Sequence, residues 1–79
     1  MDTINITLPD GKTLTLTVTP EFTVKELAEE IARRLGLSPE DIKLTHNGKT
    51  LDPSLTLAEY GITPGSTITL EIKKKGGLE

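Results

Sequence analysis

This chain has no cysteine and no tryptophan, and phenylalanine, tyrosine, histidine and methionine occur once each. Without cysteine there are no disulfides, no thiolate metal sites and no thiol nucleophile, and the redox compartment is undetermined. One histidine cannot build a histidine-rich metal site, and no serine–histidine–aspartate grouping can be assembled around a histidine placed in a turn. A formal net charge of −3 exerts no general pull toward nucleic acid or a membrane surface. No apolar run approaches the length of a membrane span, and the start of the chain carries no signal-peptide pattern. The expectation is a soluble monomer that is not an enzyme, with no cofactor, no metal and no nucleic-acid or membrane partner. It would be cytoplasmic if natural, and without a native compartment if recombinant.

What is present is economical. The 79 residues suffice for one small domain. Phe22 and Tyr60 are its whole aromatic content, so leucine and isoleucine must carry the core. Threonine is abundant and regularly spaced. Such economy suits an idealised or designed sequence.

"TINITL" alternates, with Ile4, Ile6 and Leu8 on one face and Thr3, Asn5 and Thr7 on the other. "TLTLTVT" repeats the pattern, with Leu14, Leu16 and Val18 set against Thr13, Thr15, Thr17 and Thr19. Period two predicts strands with one buried face. Between them, Pro9 presets φ, Asp10 can bond the local backbone and Gly11 can take the left-handed position. This predicts an antiparallel hairpin with a bulge at the glycine.

"FTVKELAEEIARRLG" is a helix signed at both ends. Thr23 and Glu26 form a capping box, and Phe22 can staple onto Leu27. Val24, Leu27, Ala28, Ile31 and Leu35 share a face. Glutamates gather toward the start and arginines at the end, and Glu29–Arg33 and Glu30–Arg34 are spaced as i,i+4 pairs. Gly36 ends the helix.

In "SPED", Ser38 is the expected cap and Pro39 the first residue of a short turn. "IKLTHNGKTL" reads as a strand, an Asn47-Gly48 turn and a short strand. Thr56 to Glu59 spells a second capping box over one helical turn. "TPGS" fits a type II turn with Gly65 in third place. "TITLEIK" is the last strand, with Ile68, Leu70 and Ile72 inward. The order is β-β-α-β-β with a short helical turn before the final strand. About twenty aliphatic side chains point inward, each stabilising by roughly 1.5–3 kcal/mol if fully buried.

This order, together with "GKT" at 11–13, "TLTV" with Pro20 and Thr23, Gly36 with Pro39, Leu44, "GK" at 48–49 with Leu51, "TL" at 56–57, Tyr60 with Ile62, "ST" at 66–67 with Leu70, and the closing "GG", resembles the ubiquitin family. The match runs from about Ile4 to Gly77 without gaps. It implies an α+β, β-grasp fold over residues 1–73: a mixed sheet gripping one helix, the first and last strands parallel and adjacent. Residues 74–79 would be a flexible basic Gly-Gly tail. The resemblance also makes Tyr60 a structural residue whose hydroxyl bonds nearby backbone.

Most matching residues are turn glycines, caps and core aliphatics. The resemblance implies partner binding mostly through an apolar patch on the exposed sheet face, built from one leucine, one isoleucine and one valine. Those positions fall here on Pro9, Thr45 and Glu71, so none of the trio is kept. Alternation independently puts Thr45 and Glu71 on the solvent face beside Thr7, Lys43 and Thr69. A partner face, if used, would comprise Pro9, Lys43, Thr45, Lys49, Thr69 and Glu71, or an exposed strand edge. Lys49 resembles a chain-linkage lysine and reads as an ordinary solvated one. His46 borders a turn, where an exposed residue is preferred over a pH sensor.

A conjugation tail would use Lys73, Gly76 and Gly77. The resemblance places an arginine where Lys73 stands, and lysine does not replace arginine at a bidentate carboxylate site. Leu78-Glu79 reads as a cloning remnant. The expected role is an idealised scaffold without native activity. The alternatives are a protein-interaction module and a Gly-Gly-tailed modifier or sulfur carrier.

Overall fold

The computed structural model describes residues 2–73. The alternating N-terminal stretch forms β1 (Asp2–Thr7) and β2 (Thr13–Val18), antiparallel with Thr7 opposite Thr13. The Gly11 N–H returns to the Leu8 carbonyl at 2.9 Å, and the Leu8 N–H reaches Lys12 at 2.8 Å. Gly11 has φ +90, the left-handed setting that lets a three-residue loop close with a bulge.

The helix α1 (Val24–Leu35) carries both halves of the capping box. The Glu26 N–H donates to Thr23 Oγ1 at 3.0 Å, and the Thr23 N–H donates to Glu26 Oε1 at 2.9 Å. The remaining orphan donors of the first turn bond outside the helix. The Val24 N–H reaches the Leu55 carbonyl at 2.8 Å and the Lys25 N–H reaches Pro53 at 3.0 Å. Leu57 N–H returns to Phe22 at 2.9 Å, and Thr23 and Thr56 form an isolated antiparallel bridge. The start of the helix is therefore stitched to the 53–57 loop, which sequence alone did not indicate.

At the other end, Ala32 accepts from both Gly36 and Leu37, the double closure of a left-handed glycine cap. Ala32 is fully buried beside Val24, Leu27 and Ile31, whereas Ala28 and Leu35 only border the core. The buried stripe is therefore turned slightly from the expected face. Glu30, not Glu29, holds Arg33, and it also accepts from Arg34 Nε at 2.9 Å. Glu30 lies three and four residues before the two arginines, so one carboxylate reaches both.

Residues Pro39–Asp41 form one 3-10 turn. The expected Ser38 side-chain cap is not made; the Ser38 backbone carbonyl accepts from the Asp41 N–H at 2.9 Å instead. β3 (Ile42–His46) turns at Asn47 (φ 55) and Gly48 (φ 79) into β4 (Lys49–Thr50), a tight hairpin with two left-handed residues. A second 3-10 turn covers Ala58–Tyr60, where Thr56 Oγ1 accepts the Glu59 N–H at 3.2 Å, the forward half of the expected box. Gly65 has φ +87 in the turn leading to β5 (Thr67–Ile72).

The sheet order is β2-β1-β5-β3-β4. β5 runs parallel to β1 and antiparallel to β3, which is the β-grasp arrangement. The short β4 counts as a strand in its own right, making five. Ile4, Ile6, Leu16, Leu44, Ile68 and Leu70 from the sheet meet Leu27 and Ile31 from the helix in an aliphatic core. Ile72 departs from expectation. Alternation sets it opposite Ile42 on the core side, yet it is 44% exposed. It is the last residue of β5, where direction is kept and cover is lost.

Candidate functional site

The sheet turns one face toward the helix and the other to solvent. Directly paired residues share a face. Thr13 pairs with Thr7, Thr7 with Thr69, Thr69 with Thr45, and Thr45 with Thr50. One threonine from each of the five strands thus forms a continuous row across the outer face. Beside it runs Thr15, Asn5 and Thr67, with Thr15 Oγ1 donating to Asn5 Oδ1 at 3.1 Å. On the other side Lys43 pairs with Glu71, their charged ends 3.7 Å apart. The row could not be found from sequence, because it depends on the registers of strands far apart in the chain.

These pairings bring Lys43, Thr45, Thr69 and Glu71 together, as alternation suggests. Pro9 lies in the β1–β2 turn, two residues beyond Thr7. Because Thr7 is level with Thr69 in a parallel pair, Pro9 leaves the sheet at the height of Glu71. Lys49 is not on this face. It pairs with His46, and its second neighbour Leu51 is buried, so it projects on the opposite side. The Lys73 N–H bonds the Asp41 carbonyl at 2.7 Å, which anchors the end of β5 beside the first 3-10 turn. Gly76 and Gly77 lie outside the described residues.

Chemically, the face presents hydroxyls and one exposed ion pair. Among the described residues Ile72 is the one large apolar side chain classed as exposed, and it belongs to the other side of the sheet. A hydroxyl-lined surface has no apolar centre to desolvate against a partner. The Lys43–Glu71 pair is half exposed and adds little.

On the helix side lies a groove of 430 Å³. It is lined by Val24, Ala28, Ile42, Leu44 and Leu51, with the charged residues Lys25 and Glu29 beside them. Among the described residues no three or more acidic, histidine or cysteine side chains gather as a metal site. Among the described residues no helix is long and apolar enough to cross a membrane.

Among the described residues, two carboxyls are held below their ordinary values by hydrogen bonds. Glu30 is lowered by its hydrogen bond from Arg34, then by that from Arg33. Asp52 is lowered by the Ser54 backbone N–H at 2.9 Å and the Ser54 hydroxyl at 2.8 Å. Both carboxylates serve local structure, Glu30 along the helix and Asp52 within the loop after β4.

A family model described as the ubiquitin family matches residues 4–75. The chain is 35% identical over 58 residues to the E3 ubiquitin-protein ligase parkin of Drosophila melanogaster, covering 73% of this chain and 12% of that protein. It is 40% identical over 53 residues to large proline-rich protein bag6 of Xenopus tropicalis, covering 67% of this chain and 5% of that one. It therefore spans a small fraction of the length of these curated relatives. Among solved structures, it is similar to a de novo designed protein based on ubiquitin. That match has a TM-score of 0.82 at 39% identity and covers 98% of this chain and 94% of the other.

Proposed function

This chain belongs to the ubiquitin family, and we propose that it is an idealised, designed member of it: a scaffold whose property is its stability, with no catalytic or conjugating activity of its own. The observation that carries this reading is the outer face. Thr45 and Glu71 occupy positions where the family's apolar contact would sit, and the registers embed them in hydroxyls and an ion pair. The agreement of local signals with the fold supports design. Capping box, left-handed glycines, turn chemistry and alternation nearly all point the same way. The likeness to a designed ubiquitin-based protein supports it too.

Two measurements test the reading. Titration of labelled chain with a ubiquitin-binding domain is expected to leave the amide signals of Thr45 and Glu71 unmoved; shifts there would overturn it in favour of an interaction module. Thermal unfolding is expected above the ordinary mesophile range, so a midpoint below about 60 °C would argue against an idealised design.

The interaction-module reading draws on the similarity to stretches of parkin and bag6, which are far longer proteins. The modifier reading draws on Gly76-Gly77 alone. It is tested by offering a chain ending at Gly77 to an activating enzyme with ATP. A thioester adduct would establish it, and its absence agrees with the scaffold reading.

A further inference from the structure

The two edges of the sheet are not alike. β4 is two residues long and carries Lys49, features that discourage strand addition. β2 is six residues long, with no charge, proline or glycine between Thr13 and Val18. The ladder with β1 shows which backbone groups point outward. The Leu8 N–H bonds the Lys12 carbonyl, while the Asn5 N–H and the Thr3 carbonyl bond across to the β5 side, at Ser66 and Gly65. Asn5 and Thr3 therefore turn their groups away from β2. Their partners Thr15 and Thr17, and by the same alternation Thr13, turn theirs to the free edge. Among the described residues, no backbone bond outside the strand ladders reaches these threonines.

We propose that this edge pairs with the same edge of a second copy of the chain, antiparallel, about a two-fold axis at Thr15. The sequence of the edge selects the occupant. "TLTLT" at 13–17 reads the same in both directions about Thr15. In that register Thr13 meets Thr17 of the second copy and Thr15 meets its counterpart. Each such pair exchanges both N–H···O bonds, using every outward group of the three threonines. Leu14 then lies opposite Leu16 of the second copy on the core side, which covers a leucine that the single chain leaves half-buried. Threonine meets threonine and leucine meets leucine, and no like charges oppose within the paired segment. The outer faces of the two sheets become continuous. The contact is one strand wide, so association is weak and concentration-dependent, in place of the fixed monomer that composition suggests.

The test is sedimentation of the whole chain over rising concentration, with amide exchange read in parallel. The expected result is a shift from single to double mass by about 1 mM, the weak end of the affinity scale. Slowed exchange at Thr13, Thr15 and Thr17 should track that shift. Thr15→Lys and Thr15→Glu each place like charges across the axis and should stay at single mass. Their side chains lie on the exposed face, so the fold is retained, and mixing the two variants should restore pairing. A wild-type chain of single mass throughout would overturn the proposal. So would a dimer indifferent to either charged variant, since pairing would then use another surface. Protection of these amides by an unrelated extended peptide, but not by more of the chain itself, would make the edge a peptide site and equally overturn it.

Discussion

The phenolic oxygen of Tyr60 accepts the backbone N–H of Asp52 at 2.7 Å. The same aspartate accepts from Ser54 through its carboxylate, and the loop that follows receives the first N–H groups of α1. Tyr60 thus sits at one end of a chain of hydrogen bonds that runs through the 52–57 loop to the helix start. Tyr60→Phe is expected to lower stability by about 0.5–1.5 kcal/mol, the net value of one such bond. Urea unfolding measures it. An unchanged midpoint would mean that water replaces the hydroxyl without loss.

Thr23 closes the helix start through its hydroxyl and its backbone. Thr23→Ala removes the side-chain acceptor and should cost about 1 kcal/mol, while Thr23→Ser should cost far less. Comparing the two variants by denaturant unfolding separates the hydroxyl from the methyl. Equal losses would assign the effect to packing.

The acid response has a definite sign. Glu30 and Asp52 have folded pKa values lowered from their ordinary 4.5 and 3.8. Between the ordinary and lowered values the unfolded chain binds more protons, so stability rises with pH through that window. Their contribution is complete above the ordinary values and is lost as pH falls through the lowered ones. Glu30→Gln should flatten part of this slope in a plot of unfolding midpoint against pH. A slope identical to wild type would remove Glu30 from the explanation.

The outer face makes a gain-of-function prediction. Pro9→Leu, Thr45→Ile and Glu71→Val together place three aliphatic side chains at the end of the sheet where the registers converge. Each contributes about 1.5–3 kcal/mol if buried against a partner, enough together to approach a micromolar contact. Calorimetric titration with a ubiquitin-binding domain should detect binding by this variant and none by the parent. A silent triple variant would show that the residues at these three positions are not the reason for silence.

Ala28 lines the groove with Ile42, Leu44 and Leu51. Ala28→Met extends a pliable apolar chain into that space from a good helix position. The expected gain is about 0.5–2 kcal/mol by thermal or urea unfolding. A loss would mean that the neighbours cannot accommodate the longer side chain.

Much of the fold was legible in advance because its signals are local. The capping box at Thr23, the left-handed stop at Gly36, the Asn47-Gly48 turn and the period-two strands each need only a few neighbouring residues to act. Where reading failed, a distant contact had intervened. Ala32 is buried and Ile72 is exposed because of what lies over them, which periodicity does not report. Arg33 chose Glu30 because two arginines converge on one carboxylate.

The candidate face divides the same way. That Thr45 and Glu71 face solvent follows from alternation within a strand, so sequence by itself determined that the face is polar. Which residues stand side by side was decided only by tertiary structure. Lys43 against Glu71, the threonine row and the removal of Lys49 to the other side all depend on the registers of β1, β5, β3 and β4. Except at the tight β3–β4 turn, those registers join segments brought together by packing against the helix. Side-chain chemistry is written residue by residue, but adjacency across a sheet exists only once the chain has closed on itself.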